Sequence, residues 1–131
     1  MNTIEEVKAY FANDQFAALT GIEITEAEKG YSLCHMPLRP YHMNANHTPM
    51  GGAIFTLSDF AFAVAANIGT GDNRVVSQNM SISFLSTPKG TTLIAEAKCI
   101  RAGRRTSLYG VTVTDDLGTL VAHTTATGFV V

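Results

Sequence analysis

From Ala53 to Ile68 the chain carries sixteen residues, AIFTLSDFAFAVAANI, that are nearly all apolar or small, with one carboxylate, Asp59, near the middle. A bilayer span needs about 20 apolar residues and tolerates an acid poorly. The segment therefore reads as a helix buried in a protein core. It has almost no polar face, so the rest of the chain must cover it on several sides.

The remaining sequence has the material for that cover. Thr3 and Glu6 form a capping-box pattern ahead of Ile4, Val7, Tyr10 and Phe11, which share one helical face. A second short helix is expected through DQFAALT, stopping at Gly21. Two strands, 22–28 and 31–38, flank Gly30 as a hairpin, and a polar loop, 39–50, leads into the apolar helix. Beyond it Val76, Met80, Ile82 and Phe84 alternate at period two, broken only at Gln78. TTLIAEAKCI, TSLYGVTVT and TLVAHTTATGFVV read as further strands, with turns at Gly103 and at DDLG, 115–118. Three hairpin turns are expected among the last four strands, hence mostly antiparallel neighbours. The architecture expected is α+β, an antiparallel sheet curled around one long central helix. A chain of 131 residues fits one such domain, 1–131, with an N-terminal helical segment over 1–20.

Composition narrows the function. The net charge of −2 gives no global field favouring nucleic acid or an acidic membrane. MNTIEEVKAYF carries acids where a targeting segment would be basic, so none is expected. Cys34 and Cys99 lack metal-ligand spacing, and a reduced, cytoplasmic protein is favoured over a disulfide between them. His35, His42 and His123 show no ligand spacing with an acid or thiol, so no metal is expected. No Ser-His-Asp set and no phosphate-loop glycine pattern is visible.

Asp59 is the residue that demands a partner or a task. Burial raises a carboxylate's pKa, and an acid so poised suits general-base work, although an acid pinning a loop would be shifted the same way. The helix start adds a second chemical element. In HTPMGG, Thr48 can serve as N-cap and Pro49 as a first-turn residue, while Gly51 and Gly52 open the backbone to close approach. Free N–H groups there can polarise a carbonyl oxygen as it gains charge. The paired glycines equally suit close packing of helix on sheet. Gly51 and Asp59 are eight residues apart, about 12 Å along one helix. One helix cannot bring both to the same atom, but two antiparallel helices across a two-fold axis can. If both groups act together, the protein is at least a dimer with composite sites.

The runs MNANHTPMGGAIFTLSDFAFAVAAN, VVSQNMSISFLSTPKG and IRAGRRTSLYGVTVTD resemble the hotdog-fold thioesterases, in particular the PaaI-like branch of phenylacetate pathways. The resemblance covers roughly residues 15–130 and rests on an ordered set: Asn, a short gap, Gly-Gly, then Leu-x-Asp. It implies a helix wrapped by a curved antiparallel sheet, a dimer with a continuous sheet, often a dimer of dimers, and hydrolysis of acyl-CoA thioesters. By the same resemblance Asp59 is the catalytic carboxylate, as general base or nucleophile. Gly51 supplies the backbone N–H facing the thioester oxygen. Asn44 helps place the reacting groups, and Ser77 orients the acid or water. Coenzyme A enters only as part of the substrate, with no separate cofactor.

One departure stands out. The family's usual histidine before the glycine pair is Met50 here, which cannot donate a hydrogen bond and presents a soft apolar contact to the acyl group beside Gly52. His47, three residues earlier, is a substitute imidazole or a plain loop residue. RAGRR clusters Arg101, Arg104 and Arg105 at a turn with Gly103, and arginine matches phosphate geometry; the resemblance implies that this strand pair contacts the coenzyme A nucleotide and makes Arg101 and Arg104 the candidates, unless the turn is simply solvated. Phe84, at the end of its strand, lines the ligand groove or belongs to the core. The alternative function is a hotdog module that binds acyl-CoA without hydrolysing it, which the loss of histidine at position 50 favours. A hotdog dehydratase is unsupported, because no matching histidine and acid pair appears.

Overall fold

The structure is a computed structural model and describes residues 1–131. Two short helices lead the chain: α1, Ile4–Phe11, and α2, Gln15–Thr20. Thr3 caps α1 by accepting a hydrogen bond from the Glu6 amide at 3.2 Å. Asp14 caps α2 through the Ala17 amide at 3.0 Å, and Gly21 ends it with φ 80°. Strands β1, Glu23–Glu28, and β2, Tyr31–Pro37, form the expected hairpin about Gly30, whose φ is 77°. The long helix α3 spans Gly51–Ala66, and β3 (Val75–Phe84), β4 (Thr92–Ala102), β5 (Thr106–Asp115) and β6 (Leu120–Val130) follow.

All six strands join one antiparallel sheet in the order β1-β2-β4-β5-β6-β3. Helix α3 touches every strand, so the sheet curls around it as its apolar circumference requires. Leu57, Phe62 and Val64 are fully buried against Ala95 and Ala97 of β4, Val111 and Val113 of β5, and Ala126 of β6. Small alanines on the strands leave room for the large side chains of the helix. Each such side chain contributes about 1.5–3 kcal/mol by leaving water. No helix is long and apolar enough to cross a membrane.

Two expectations need correction. Only two hairpins join the last four strands, because β3 pairs with β6 at the sheet edge and not with β4. The chain does bend, at Gly90, but a bend does not say which strand it pairs with next. The link instead crosses the ends of β6 and β5. The Leu85 amide donates to the Val121 carbonyl at 2.8 Å, and the Lys89 and Gly90 amides donate to the Asp115 carboxylate at 2.7 and 2.9 Å. Desolvation works against ionised Asp115, yet backbone donors from Gly90, Lys89 and Thr119 outweigh it and hold the acid well below the ordinary carboxylate range.

The second correction concerns the start of α3. Thr48 is not the N-cap and Pro49 is not in the first turn; Met50 is the N-cap, without a side-chain hydrogen bond. Thr48 is held in the preceding loop, where its hydroxyl donates to Asn44 Oδ1 at 3.3 Å and its carbonyl accepts from the Asn44 amide at 2.8 Å. Pro49 is pinned opposite Met43 in an isolated antiparallel bridge. The cap position is therefore left to a residue that cannot cap.

Candidate active site

An uncapped helix start leaves donors free. The Gly51 and Gly52 amides open the sixteen-residue α3 and have no acceptor in the chain. The Gly52 backbone faces open space, since a Cβ built there would meet nothing within 4 Å. A Cβ on Gly51 would lie 3.0 Å from the Phe84 ring. Glycine at 51 therefore allows the ring to sit against the helix tip. Phe84 itself is 55% exposed and lines a hollow with Gly51, Ile54 and residues 85–88. That excludes the core position for Phe84 and places it beside the free amide. Met50 is exposed at the same tip.

Asp59 lies two turns further along α3, half-buried, in a second hollow with Phe55, Ser77 and Met80. Ser77 shares that hollow because of a defect in β3. The pairing with β6 slips between Ser77 and Asn79, leaving Gln78 as a bulge. Met80, Ile82 and Phe84 share the helix-facing side after the bulge, whereas Val75 and Ser77 do so before it. Val76, expected on the same face as Met80, therefore points away and is 45% exposed. Desolvation pushes the Asp59 carboxyl above its usual range, the Ser77 hydroxyl pulls it back, and Asp14 at the start of α2 pushes it further up.

The basic cluster forms a third group. Arg101 is the last residue but one of β4, and the Gly103 amide closes the turn on the Thr106 carbonyl at 2.8 Å. Arg101, Arg104 and Arg105 are all exposed, and none is in an ion pair: the only two bridges join His35 to Glu23 and Lys98 to Glu96. Gly103 also lines a pocket with Ala65 and Ala66, at the opposite end of α3 from Gly51. A single chain thus pairs Gly51 with Phe84, Asp59 with Ser77, and Gly103 with the arginines. It does not bring the three groups together.

Asn44 stays with its loop. Its Oδ1 accepts from the Asn46 amide at 2.8 Å and from the Thr48 amide at 3.3 Å, closing an Asx turn and leaving its NH₂ without a partner in the chain. His47 occupies the exposed tip of that turn with φ 62°. His42 was missed by reading spacings, because it is neither ligand nor base. It is buried, its Nδ1 accepts from the Arg39 amide at 2.9 Å, and its Nε2 donates to the Thr20 carbonyl at 2.8 Å. The Met50 amide in turn donates to the His42 carbonyl at 2.8 Å. His42 thus ties α2 to the loop that sets the start of α3. No three His, Cys, Asp or Glu side chains converge as a metal set.

The chain is similar to known proteins in sequence and in fold. The family model of the thioesterase superfamily matches residues 47–122, which contain Met50, both glycines, Asp59 and Ser77. A putative esterase of Archaeoglobus fulgidus is 33% identical over 121 residues, 91% of this chain and 77% of that protein. The acyl-coenzyme A thioesterase PaaI of Escherichia coli is 29% identical over 119 residues, covering 90% of this chain and 84% of the relative. The solved E. coli PaaI structure superposes with a TM-score of 0.87 at 27% identity, covering 94% of this chain and 88% of that one. The smu.793 protein of Streptococcus mutans, solved bound to acetyl CoA, gives a TM-score of 0.77 at 32% identity, over 84% of this chain and 88% of that one.

Proposed function

The chain belongs to the thioesterase superfamily, as a PaaI-like thioester hydrolase of the hotdog fold, and on that premise we propose that it cleaves acyl-CoA thioesters at sites shared between two protomers. The carrying observation is the pair of groups on α3: an amide tip without an acceptor, and a half-buried acid two turns away. An antiparallel helix from a second copy brings the tip of each to the middle of the other. The open edge of β3, paired on one side only, supports such a partner by offering unpaired backbone groups for a continuous sheet.

In this reading the thioester oxygen sits against the Gly51 N–H of one protomer, with the Asn44 amide group alongside. Asp59 of the other protomer takes a proton from water as the water oxygen bonds to the carbonyl carbon. The Gly51 N–H stabilises the resulting oxyanion. The C–S bond then breaks, the thiolate receives the proton from Asp59, and free acid and coenzyme A leave. With Asp59 as nucleophile the first product is a mixed anhydride, which water then opens. Met50, Gly52 and Phe84 flank the acyl group. Arg101, Arg104 and Gly103 receive the nucleotide phosphates, where cations without internal partners suit bidentate contacts. The similar protein solved with acetyl CoA supports a coenzyme A thioester as the substrate class. Pairing of dimers is part of the same proposal, as is a reducing cytoplasm, which suits the two free thiols.

A thiol-release assay over short, medium and aryl acyl-CoAs tests the reading, run beside thermal stabilisation by coenzyme A. Release from at least one substrate is expected. Stabilisation without release across the panel would leave an acyl-CoA-binding module instead.

Ser77→Ala gives a pH test of the hollow around Asp59. Ser77 favours the ionised acid, so its removal raises the Asp59 pKa. The acid limb of the kcat/KM profile is expected to move to higher pH, with activity lost sooner on acidification. An unmoved limb would take Ser77 out of contact with the working acid.

A further inference from the structure

A cavity of about 320 Å³ lies between α1, α2, β1 and α3, and shares no lining residue with the two hollows at Gly51 and Asp59. It is large enough for a small organic molecule. Phe11, Ala17, Ile22, Ile24 and Phe60 supply an apolar lining, with the Phe11 and Phe60 rings edge to face at 5.5 Å. The alanines of α2 keep the space empty where larger side chains would fill it. Two charged residues stand at the rim. The Glu23 carboxylate is engaged by His35 Nε2 at 3.1 Å, whereas the Lys8 ammonium is in no ion pair.

An apolar pocket with one uncommitted cation at its mouth matches one ligand chemistry. We propose that this cavity binds a small monocarboxylic acid, its chain or ring against Phe11 and Phe60 and its carboxylate on Lys8. A neutral molecule of the same shape forgoes the Lys8 contact, and a dianion meets Glu23 with its second charge. The acid is of the class that the proposed hydrolysis releases. If that reaction holds, the product has a seat outside the reacting groups.

Calorimetric titration of the full chain with octanoate and with 1-octanol tests the site, using Lys8→Met and Ala18→Phe as variants. Ala18 lines the cavity and is exposed enough on α2 to accept a ring that projects into the space. Saturable octanoate binding is expected, weakened about fivefold in Lys8→Met, the size of one exposed ion pair. Octanol binding is expected to be the same in the parent and Lys8→Met. Ala18→Phe is expected to abolish both; if it fails to fold, Lys8→Met alone decides. No saturable octanoate binding, or binding that Lys8→Met leaves unchanged, would overturn the proposal. Lys8→Met is expected to retain full thiol release, so the two readings separate. Octanoate binding without any thiol release would sink the hydrolase reading and leave this site standing.

Discussion

Asp59→Asn is expected to lower thioester hydrolysis by about two or more orders of magnitude, in the range for loss of a positioned general base. The substitution keeps the size and one hydrogen-bonding oxygen of the side chain and removes its ability to take a proton or attack carbon. The fold should not suffer. An acid whose pKa is raised in the folded state adds stability below its unfolded pKa and loses it as pH rises through the folded value. Above its unfolded pKa the acid is thus a burden on the fold, and the Tm of Asp59→Asn measured there should be no lower than that of the parent. A folded Asp59→Asn protein with undiminished turnover would remove the acid from the mechanism.

The second large effect is expected at Gly51, where the working group is a backbone N–H that ordinary side-chain changes leave in place. Proline deletes it. Gly51 is the first residue of α3, a position that proline occupies readily, and Met50 before it already has φ −65° and ψ 140°, as a residue preceding proline prefers. Gly51→Ala is the control, since its Cβ also presses on the Phe84 ring but its N–H remains. Because Phe84 is exposed, its ring can move aside in both variants. Gly51→Pro is expected to lose about 10²–10³ in kcat, the range for one oxyanion donor, while Gly51→Ala loses far less. Equal losses in the two would trace the effect to crowding at Phe84 and not to the amide.

Local signals read well from the sequence because their causes are local. The Thr3 cap, the stop at Gly21, the turn at Gly30 and the DDLG hairpin each depend on residues within a few positions, and all four stand in the structure, although the returning Glu6 arm of the capping box does not form. The apolar length of α3 likewise dictated a sheet that wraps it. Long-range choices were not legible. Nothing in STPKG tells the chain to cross to β4, which depends on where the Asp115 carboxylate waits for the Lys89 and Gly90 amides. The break at Gln78 was visible, but its consequence was not: a one-residue slip turns Ser77 toward Asp59 and Val76 away. At Thr48 a good capping residue was present, and Asn44 captured it first. Asp59 stood out from burial arguments alone. Asn44, Ser77 and the arginines were singled out through family resemblance, because polar loop and strand residues carry no such signal by themselves.

The central claim is that each site takes its acid from one protomer and its amide from another. Subunit complementation tests it most directly. Asp59→Asn and Gly51→Pro chains, each nearly inactive, are unfolded together in equal amounts, refolded, and assayed for thiol release. Random pairing makes half the dimers mixed, and each mixed dimer carries one site with both groups intact, so about a quarter of parental activity should return. Activity that stays at the level of the separate variants, in a mixture shown to contain mixed dimers, would contradict a shared site.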